Sequence, residues 1–312
     1  MKSFHNGDGE LGVRMERDVA KAVQMVPQLS GYDGPVVRLG GLTNKVYRLG
    51  AYCLRLPGAG TEDYIDRANE AVAAMEAARA GVSPEVIHAD PKTGVMVTRF
   101  VEGAETMSPD GFRATPEAAA RAGAAFARLH RSGAVFPFRF ELFAMIDDYL
   151  GILSGKDVAL PQGYHDVLAE AEVVRAALAA NPVPLAPCHC DPLCENFLDT
   201  GRAMWIVDWE YSGMNDPMWD LGDLSVEGAF TADQDDEMLH AYFGGEPSAK
   251  DRGRMVIYKA MCDLLWTLWG LIQLANNNPA DDFRTYADTR FARCKTLMSD
   301  PEFSLHIKAV GD

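Results

Sequence analysis

Three polar residues in one short stretch have the types and spacing needed for phosphoryl transfer. Residues 187–211 read P-C-H-C-D-P-L-C-E-N-F-L-D-T-G-R-A-M-W-I-V-D-W-E-Y. His189, Asp191 and Asn196 form H-x-D-x-x-x-x-N, and a short apolar run, Met204 to Val207, delivers Asp208 at its end. An Asp placed this way can orient an attacking hydroxyl and take its proton. An Asn and a second Asp supply oxygen ligands for Mg²⁺ on the phosphates of a nucleotide. Each piece alone is common; the order, the spacing and the strand between the halves make the set specific. A competing reading takes Cys188, His189, Cys190 and Cys194 as a zinc site, but C-x-C-x₃-C is not a standard paired-cysteine pattern.

Elements that would position these residues are legible on both sides. An opening helix over Val13–Val26 ends at Pro27. Short β-type runs follow at Pro35–Leu39, Lys45–Leu49 and Ala51–Leu56, then a helix over Asp63–Ala80, then strands at Glu85–His88 and Val95–Val101. The loop Gly40-Gly41-Leu42-Thr43-Asn44 lets backbone N–H groups approach a phosphate, with a plain hairpin turn as the alternative. Arg55, on the third strand, stands where a protein kinase places its phosphate-pairing Lys. Glu70, Glu76 and Glu62 compete as its partner, and Phe100–Gly103 reads as a hinge.

After the hinge the chain turns helical. Helices are expected over Thr115–His130, Glu141–Leu153, Tyr164–Ala180, Asp233–Phe243, Ala249–Ala275 and Asp281–Met298, with another starting at Asp216-Pro217. His130 reads as structural, Asp220 as a support for the backbone of the catalytic loop, and Asp223 as a solvated helix acid. The fold class is therefore α+β. A small antiparallel-sheet N-terminal part with one main helix, residues 1–102, precedes a larger, mostly helical part, 103–312.

Composition narrows the function. The net charge of −16 argues against nucleic acid or an anionic membrane as partner and suits a cationic small molecule. Met1–Glu10 is polar, with no apolar run behind it. Met255–Leu274, the longest apolar stretch, contains Lys259, Asp263 and Gln273 and reads as a buried helix rather than a membrane insertion. Six scattered cysteines fit reduced thiols, so a cytoplasmic location is expected. The oligomeric state is not legible.

The motifs resemble the choline/ethanolamine kinase family, especially its bacterial members, within the aminoglycoside-phosphotransferase-like, protein-kinase-like group. The resemblance rests on H-C-D-P-L-C-E-N-F-L, V-D-W-E-Y-S-G-M-N-D-P-M-W-D-L-G-D, G-G-L-T-N-K-V-Y-R-L, Y-C-L-R-L-P-G-A-G-T-E and L-L-W-T-L-W-G-L-I-Q, and covers about residues 35 to 295. It implies a two-lobe protein-kinase-like fold and the co-substrate ATP with Mg²⁺. Asp191 would be the catalytic base, His189 the structural His of its loop, and Asn196 and Asp208 the metal ligands. Gly41, Thr43 and Asn44 would form the nucleotide loop, with Arg55, its helix partner Glu70, and Phe100 completing the nucleotide contacts. Glu210, Tyr211, Trp266, Trp269 and Tyr286 would line the amino-alcohol pocket, because aromatic faces attract a quaternary ammonium that has no N–H to donate. Choline is the first expected substrate, with ethanolamine, thiamine and aminoglycosides as rivals; Leu193, where eukaryotic choline kinases carry a polar residue, leaves that choice open. A non-catalytic nucleotide or ligand sensor is the alternative from another class.

Overall fold

A computed structural model describes residues 16–40, 44–58 and 65–311. Gly41 and Thr43, expected in the nucleotide loop, and Glu62, a rival partner for Arg55, lie outside the described residues. The chain forms two compact units, one of residues 1–64 and 85–100, the other of residues 65–84 and 101–312.

The smaller unit opens with helix α1 (Arg17–Met25), which buries Val19, Ala22 and Val23 on one face before Pro27 ends it. Strands β1 (Val36–Gly40), β2 (Lys45–Leu49), β3 (Tyr52–Leu56), β4 (Val86–Ala89) and β5 (Met96–Arg99) form an antiparallel sheet in the order β1-β2-β3-β5-β4. β2 and β3 join through a tight turn that places Leu49 opposite Tyr52, with Gly50 at φ 59°. That left-handed conformation is cheap only for Gly. Alternation then turns Tyr47, Leu49, Leu54, Leu56 and Val97 onto one face, where they meet Val19, Ala22, Val23, Val26 and Leu29.

The larger unit begins with helix α2 (Arg67–Arg79), capped by Asp66, whose carboxylate accepts from the Ala68 and Asn69 N–H groups. Next come β6 (Glu105–Thr106), α3 (Pro109–Ala114), α4 (Ala118–His130), α5 (Leu142–Ser154) and α6 (Tyr164–Ala180). Strand β7 (Ala186–Cys188) leads into the loop holding Asp191. Then follow the hairpin β8 (Phe197–Asp199) and β9 (Met204–Ile206), strand β10 (Gly213–Asn215), and helices α7 (Met218–Glu227), α8 (Ala232–Phe243), α9 (Ala249–Ala275), α10 (Phe283–Met298) and α11 (Phe303–Gly311). β6, β8 and β9 make one antiparallel sheet, and β7 pairs with β10 in another. Helices α5, α7, α10 and α11 pack on α9. By length and composition α9 is apolar enough to cross a membrane, but 78% of its most apolar window is buried inside the protein. It is the axis of this unit's core.

Helices α4 and α8 come close enough to exclude a side chain at Gly123, where a Cβ would stand 2.2 Å from the Met238 carbonyl oxygen. Gly123→Ala is expected to lower unfolding stability by about 1–3 kcal/mol, as overpacking does. Urea denaturation checks this; an unchanged midpoint would show that the helices slide apart freely.

Candidate active site

Backbone register brings the motif together. In the β8–β9 hairpin Phe197 faces Ile206. The next rung outward joins Asn196 to Val207, whose N–H donates to the Asn196 carbonyl at 2.9 Å. Asp208 follows directly, so Asn196 and Asp208 leave the same end of one hairpin. The Asn196 side-chain N–H₂ donates to the Asp191 carbonyl at 3.0 Å, which ties the loop to the hairpin and leaves the amide oxygen available to a cation.

His189 is fully buried. Its Nε2 lies 2.9 Å from the Val207 carbonyl, and its Nδ1 lies 3.3 Å from the Asp191 N–H. A carbonyl only accepts and an N–H only donates, so the ring is neutral with its proton on Nε2. Burial also holds its pKa below the usual histidine value, against the pull of Asp220. His189 thus locks the loop to the strand leading to Asp208.

Two residues of the site stand in the left-handed region without being glycine: Cys190 and Asp208, both at φ 68°. Such a conformation costs on the order of 1–3 kcal/mol and persists only where the surroundings enforce it. For Cys190 the enforcement comes from α7. Asp220 accepts from the Cys190 N–H at 2.8 Å and from the His189 N–H at 2.7 Å. The Trp219 indole N–H donates to the Cys190 carbonyl at 3.1 Å. Both polar backbone groups of Cys190 are therefore held by consecutive residues of one helix, which sets the direction in which Asp191 leaves the loop. His130, 3.0 Å from Asp220 and 3.1 Å from the Tyr242 hydroxyl, completes this support.

The cysteines around the loop have other work. Burial, with Asp220 adding, pushes the Cys188 and Cys190 thiols well above their usual range, so they stay protonated. The Cys190 thiol turns towards the Cys188 carbonyl, and both histidine nitrogens are committed.

Asp191 is partly exposed, yet protein surrounds it on most sides. Burial first, then the charges of Asp208 and Glu227, push its carboxyl up to about 8, while Arg290 opposes them. The donor set beside it is hard: the Asn196 amide oxygen and the Asp208 carboxylate. Carboxylate oxygens of Glu70, Asp208 and Glu210 also lie within 4.8 Å of one another. These oxygen donors fit Mg²⁺. Arg67 bridges two of these acids, at 2.8 Å from Glu70 and 2.6 Å from Glu210.

Glu210 was expected to line an amino-alcohol pocket; its bonded partner is Arg67, next to Asp208. The aromatic residues do converge. Tyr211 and Trp266 meet edge to face at 5.6 Å, Trp266 and Trp269 at 6.5 Å, and Trp269 and Tyr286 at 5.6 Å. The Trp269 indole donates to the Tyr211 hydroxyl at 3.0 Å, and Phe283 joins at 5.6 Å. Burial, then Glu227, Asp191 and Asp223, push the Tyr286 hydroxyl well up, with Arg290 opposing, so Tyr286 stands within electrostatic reach of Asp191.

Three residues here escaped the sequence reading: Arg67, Glu227 and Arg290. Asp223 is a correction. It is 1% exposed rather than solvated, and its carboxylate accepts from the Trp266 indole at 3.2 Å. Burial, then Glu227, push its carboxyl well above the usual range, with Arg290 opposing. Glu227 pairs with Arg290 at 2.6 Å. The available signal was spacing: Asp220, Asp223 and Glu227 recur along one side of α7.

Asn44, Arg55 and Phe100 belong to the smaller unit, and Glu70 to the larger. Asn44 is buried and accepts from the Gly58 N–H at 3.2 Å. The Phe100 N–H donates to the Ala51 carbonyl, and the Arg48 guanidinium lies 4.0 Å over its ring.

Comparison with known proteins gives these parts a common origin. A phosphotransferase enzyme family matches residues 35–256. A solved structure of a choline/ethanolamine kinase family protein from Mesorhizobium loti is 70% identical, with a TM-score of 0.89, covering 94% of this chain and 98% of that one. The choline kinase LicA from Streptococcus pneumoniae is 25% identical with a TM-score of 0.72, covering 85% of this chain and 94% of its own. Protein LicA from Haemophilus influenzae is 26% identical over 276 residues, 85% of this chain and 80% of that protein. The protein-kinase-like α+β fold expected from the sequence is the fold the chain has. With an Asp–Asn–Asp constellation on one loop and the hairpin it is tied to, and relatives of this kind along most of its length, the chain belongs to the phosphotransferase enzyme family and, within it, to the choline/ethanolamine kinases, as a phosphotransferase acting on an alcohol group.

Proposed function

We propose that the protein is an ATP- and Mg²⁺-dependent kinase that phosphorylates the hydroxyl of a small cationic amino alcohol of the choline and ethanolamine class. The observation that carries this reading is the convergence of Tyr211, Trp266, Trp269 and Tyr286, the last of them within electrostatic reach of Asp191. Aromatic faces attract an ammonium through their quadrupoles at about 0.5–2 kcal/mol each, more when water is excluded. Choline, expected first from the sequence, suits such a lining. An aminoglycoside, with several spread ammonium groups, would suit a broad acidic cleft instead.

In this reading Asp191 aligns the hydroxyl and accepts its proton late, as the alcohol oxygen bonds to the γ-phosphorus and the bond to the leaving ADP oxygen breaks. Asn196 and Asp208 would hold Mg²⁺, which offsets phosphate charge and, by adding a cation beside Asp208, favours ionised Asp191. Asn44, Arg55 and Phe100 are assigned to the nucleotide by the family resemblance, with Arg55 supplying a permanent charge and a forked set of donors for phosphate oxygens. Glu70 is assigned there too, oriented by Arg67. Positioning and electrostatics supply most of the rate.

Coupled ADP release measured with choline, ethanolamine, thiamine and an aminoglycoside tests the proposal. Activity on the first two is expected, and silence on all four overturns it. Trp266→Ala should raise KM for choline about tenfold or more while KM for ATP stays within about twofold, since a desolvated cation–π contact is worth roughly 2 kcal/mol. Equal rises in both constants would remove Trp266 from the substrate site.

A further inference from the structure

Asp223 is a buried acid with one carboxyl oxygen engaged and the other left over. Its Oδ2 accepts from the Trp266 indole at 3.2 Å, while its buried Oδ1 has no hydrogen-bond partner among the described residues. The charge of Glu227, one turn further along α7, is met by Arg290 at 2.6 Å. The same Asp223 carboxyl acts on both Asp191 and the Tyr286 hydroxyl. It therefore sits where the aromatic lining meets the phosphoryl-transfer residue. Burial favours the protonated carboxyl, and an ammonium that brings both a positive charge and an N–H favours the ionised, accepting form.

Resting on the amino-alcohol reading above, we infer that Asp223 Oδ1 accepts a hydrogen bond from the substrate nitrogen, so that the site selects aminoethanols carrying both methyl groups and an N–H. The chemistry separates the members of the class. Choline satisfies the aromatic faces through its methyl groups but has no N–H, and leaves Oδ1 unpaired. Ethanolamine brings three N–H groups, of which Oδ1 takes one, and aromatic faces serve the others poorly. N,N-dimethylaminoethanol, protonated at neutral pH, offers two methyl groups to the rings and one N–H to the carboxylate. A site built around a buried acceptor discriminates strongly against an analogue that lacks the donor.

The test is kcat/KM for choline, N,N-dimethylaminoethanol, N-methylaminoethanol and ethanolamine, on the wild-type protein and on Asp223→Asn. Asn keeps an oxygen for the Trp266 N–H and turns Oδ1 into a donor that repels the substrate N–H. In the wild type the dimethyl compound is expected to exceed choline by about tenfold or more, as a missing hydrogen bond to a buried acceptor requires. Asp223→Asn should remove that preference chiefly by lowering turnover of the dimethyl and monomethyl compounds, with choline changed much less and KM for ATP unchanged. A wild type that uses choline as well as or better than the dimethyl compound overturns the inference, as does a variant that loses all four substrates in parallel. Should the variant not fold, the wild-type series alone decides. A wild type silent on all four substrates defeats the kinase reading underneath, a different result from an active enzyme without the preference.

Discussion

Asp191→Asn is expected to lower kcat by about 10²–10⁴, the usual loss when a positioned base is removed. The substitution is nearly isosteric, and the backbone around it is held independently of the carboxyl. The residue's N–H reaches the His189 ring and its carbonyl receives the Asn196 side chain. The amide therefore occupies the same place but cannot take the hydroxyl proton. KM for the alcohol and for ATP should change little, because Asp191 acts mainly in the transition state. Steady-state kinetics beside a thermal unfolding curve checks this. A well-folded variant with near-native kcat would strip Asp191 of the role.

Asp220→Ala should be the most damaging substitution for stability, at about 3–5 kcal/mol, the range found when one partner of a buried charged network is deleted. Asp220 is 0% exposed and receives the N–H groups of His189 and Cys190 as well as Nε2 of His130. A carboxylate cannot donate, so that His130 nitrogen carries the proton, and its loss of partner leaves a third buried donor unsatisfied. Cys190 also loses the bond that sustains its left-handed backbone, so kcat should fall even in the fraction that folds. Chemical denaturation measures the first effect and initial rates the second. A loss under about 1 kcal/mol, a typical single neutral hydrogen bond, would mean that water replaces the carboxylate readily.

Much of this site was legible because its chemistry is local in sequence. Asp191, Asn196 and Asp208 lie within one stretch, and the hairpin joining them follows from the apolar run Met204–Val207. Helices α6 and α9 begin and end where their patterns say, since each is long and periodic. Short helices were harder. Ser108-Pro109 opens α3 with the same cap-and-proline signature read at Asp216-Pro217, yet α3 spans only six residues and was passed over. Asp223 was misjudged by the rule that charges on a helix face water. That rule fails on α7, where every residue from Met218 to Val226 is buried. Arg67 could not be found at all, because its partner Glu210 is 143 residues away. The left-handed conformation of Asp208 was equally invisible, as it is imposed by the loop rather than by the residue type.

Helix α7 serves two masters. At one turn Trp219 and Asp220 hold the backbone of the Asp191 loop; at the next, Asp223 holds the Trp266 indole. In the proposed function selectivity and turnover thus share one rigid rod, and redesign aimed at new substrates through α7 would meet a trade-off at each step. The opposite wall has more freedom. Trp269 and Tyr286 project from α9 and α10 and, among the described residues, make no hydrogen bond to the loop of Asp191, so diversification of the acceptor alcohol should begin there. Laboratory evolution towards bulkier alcohols would be expected to accumulate changes on those two helices while leaving Trp219 and Asp220 untouched.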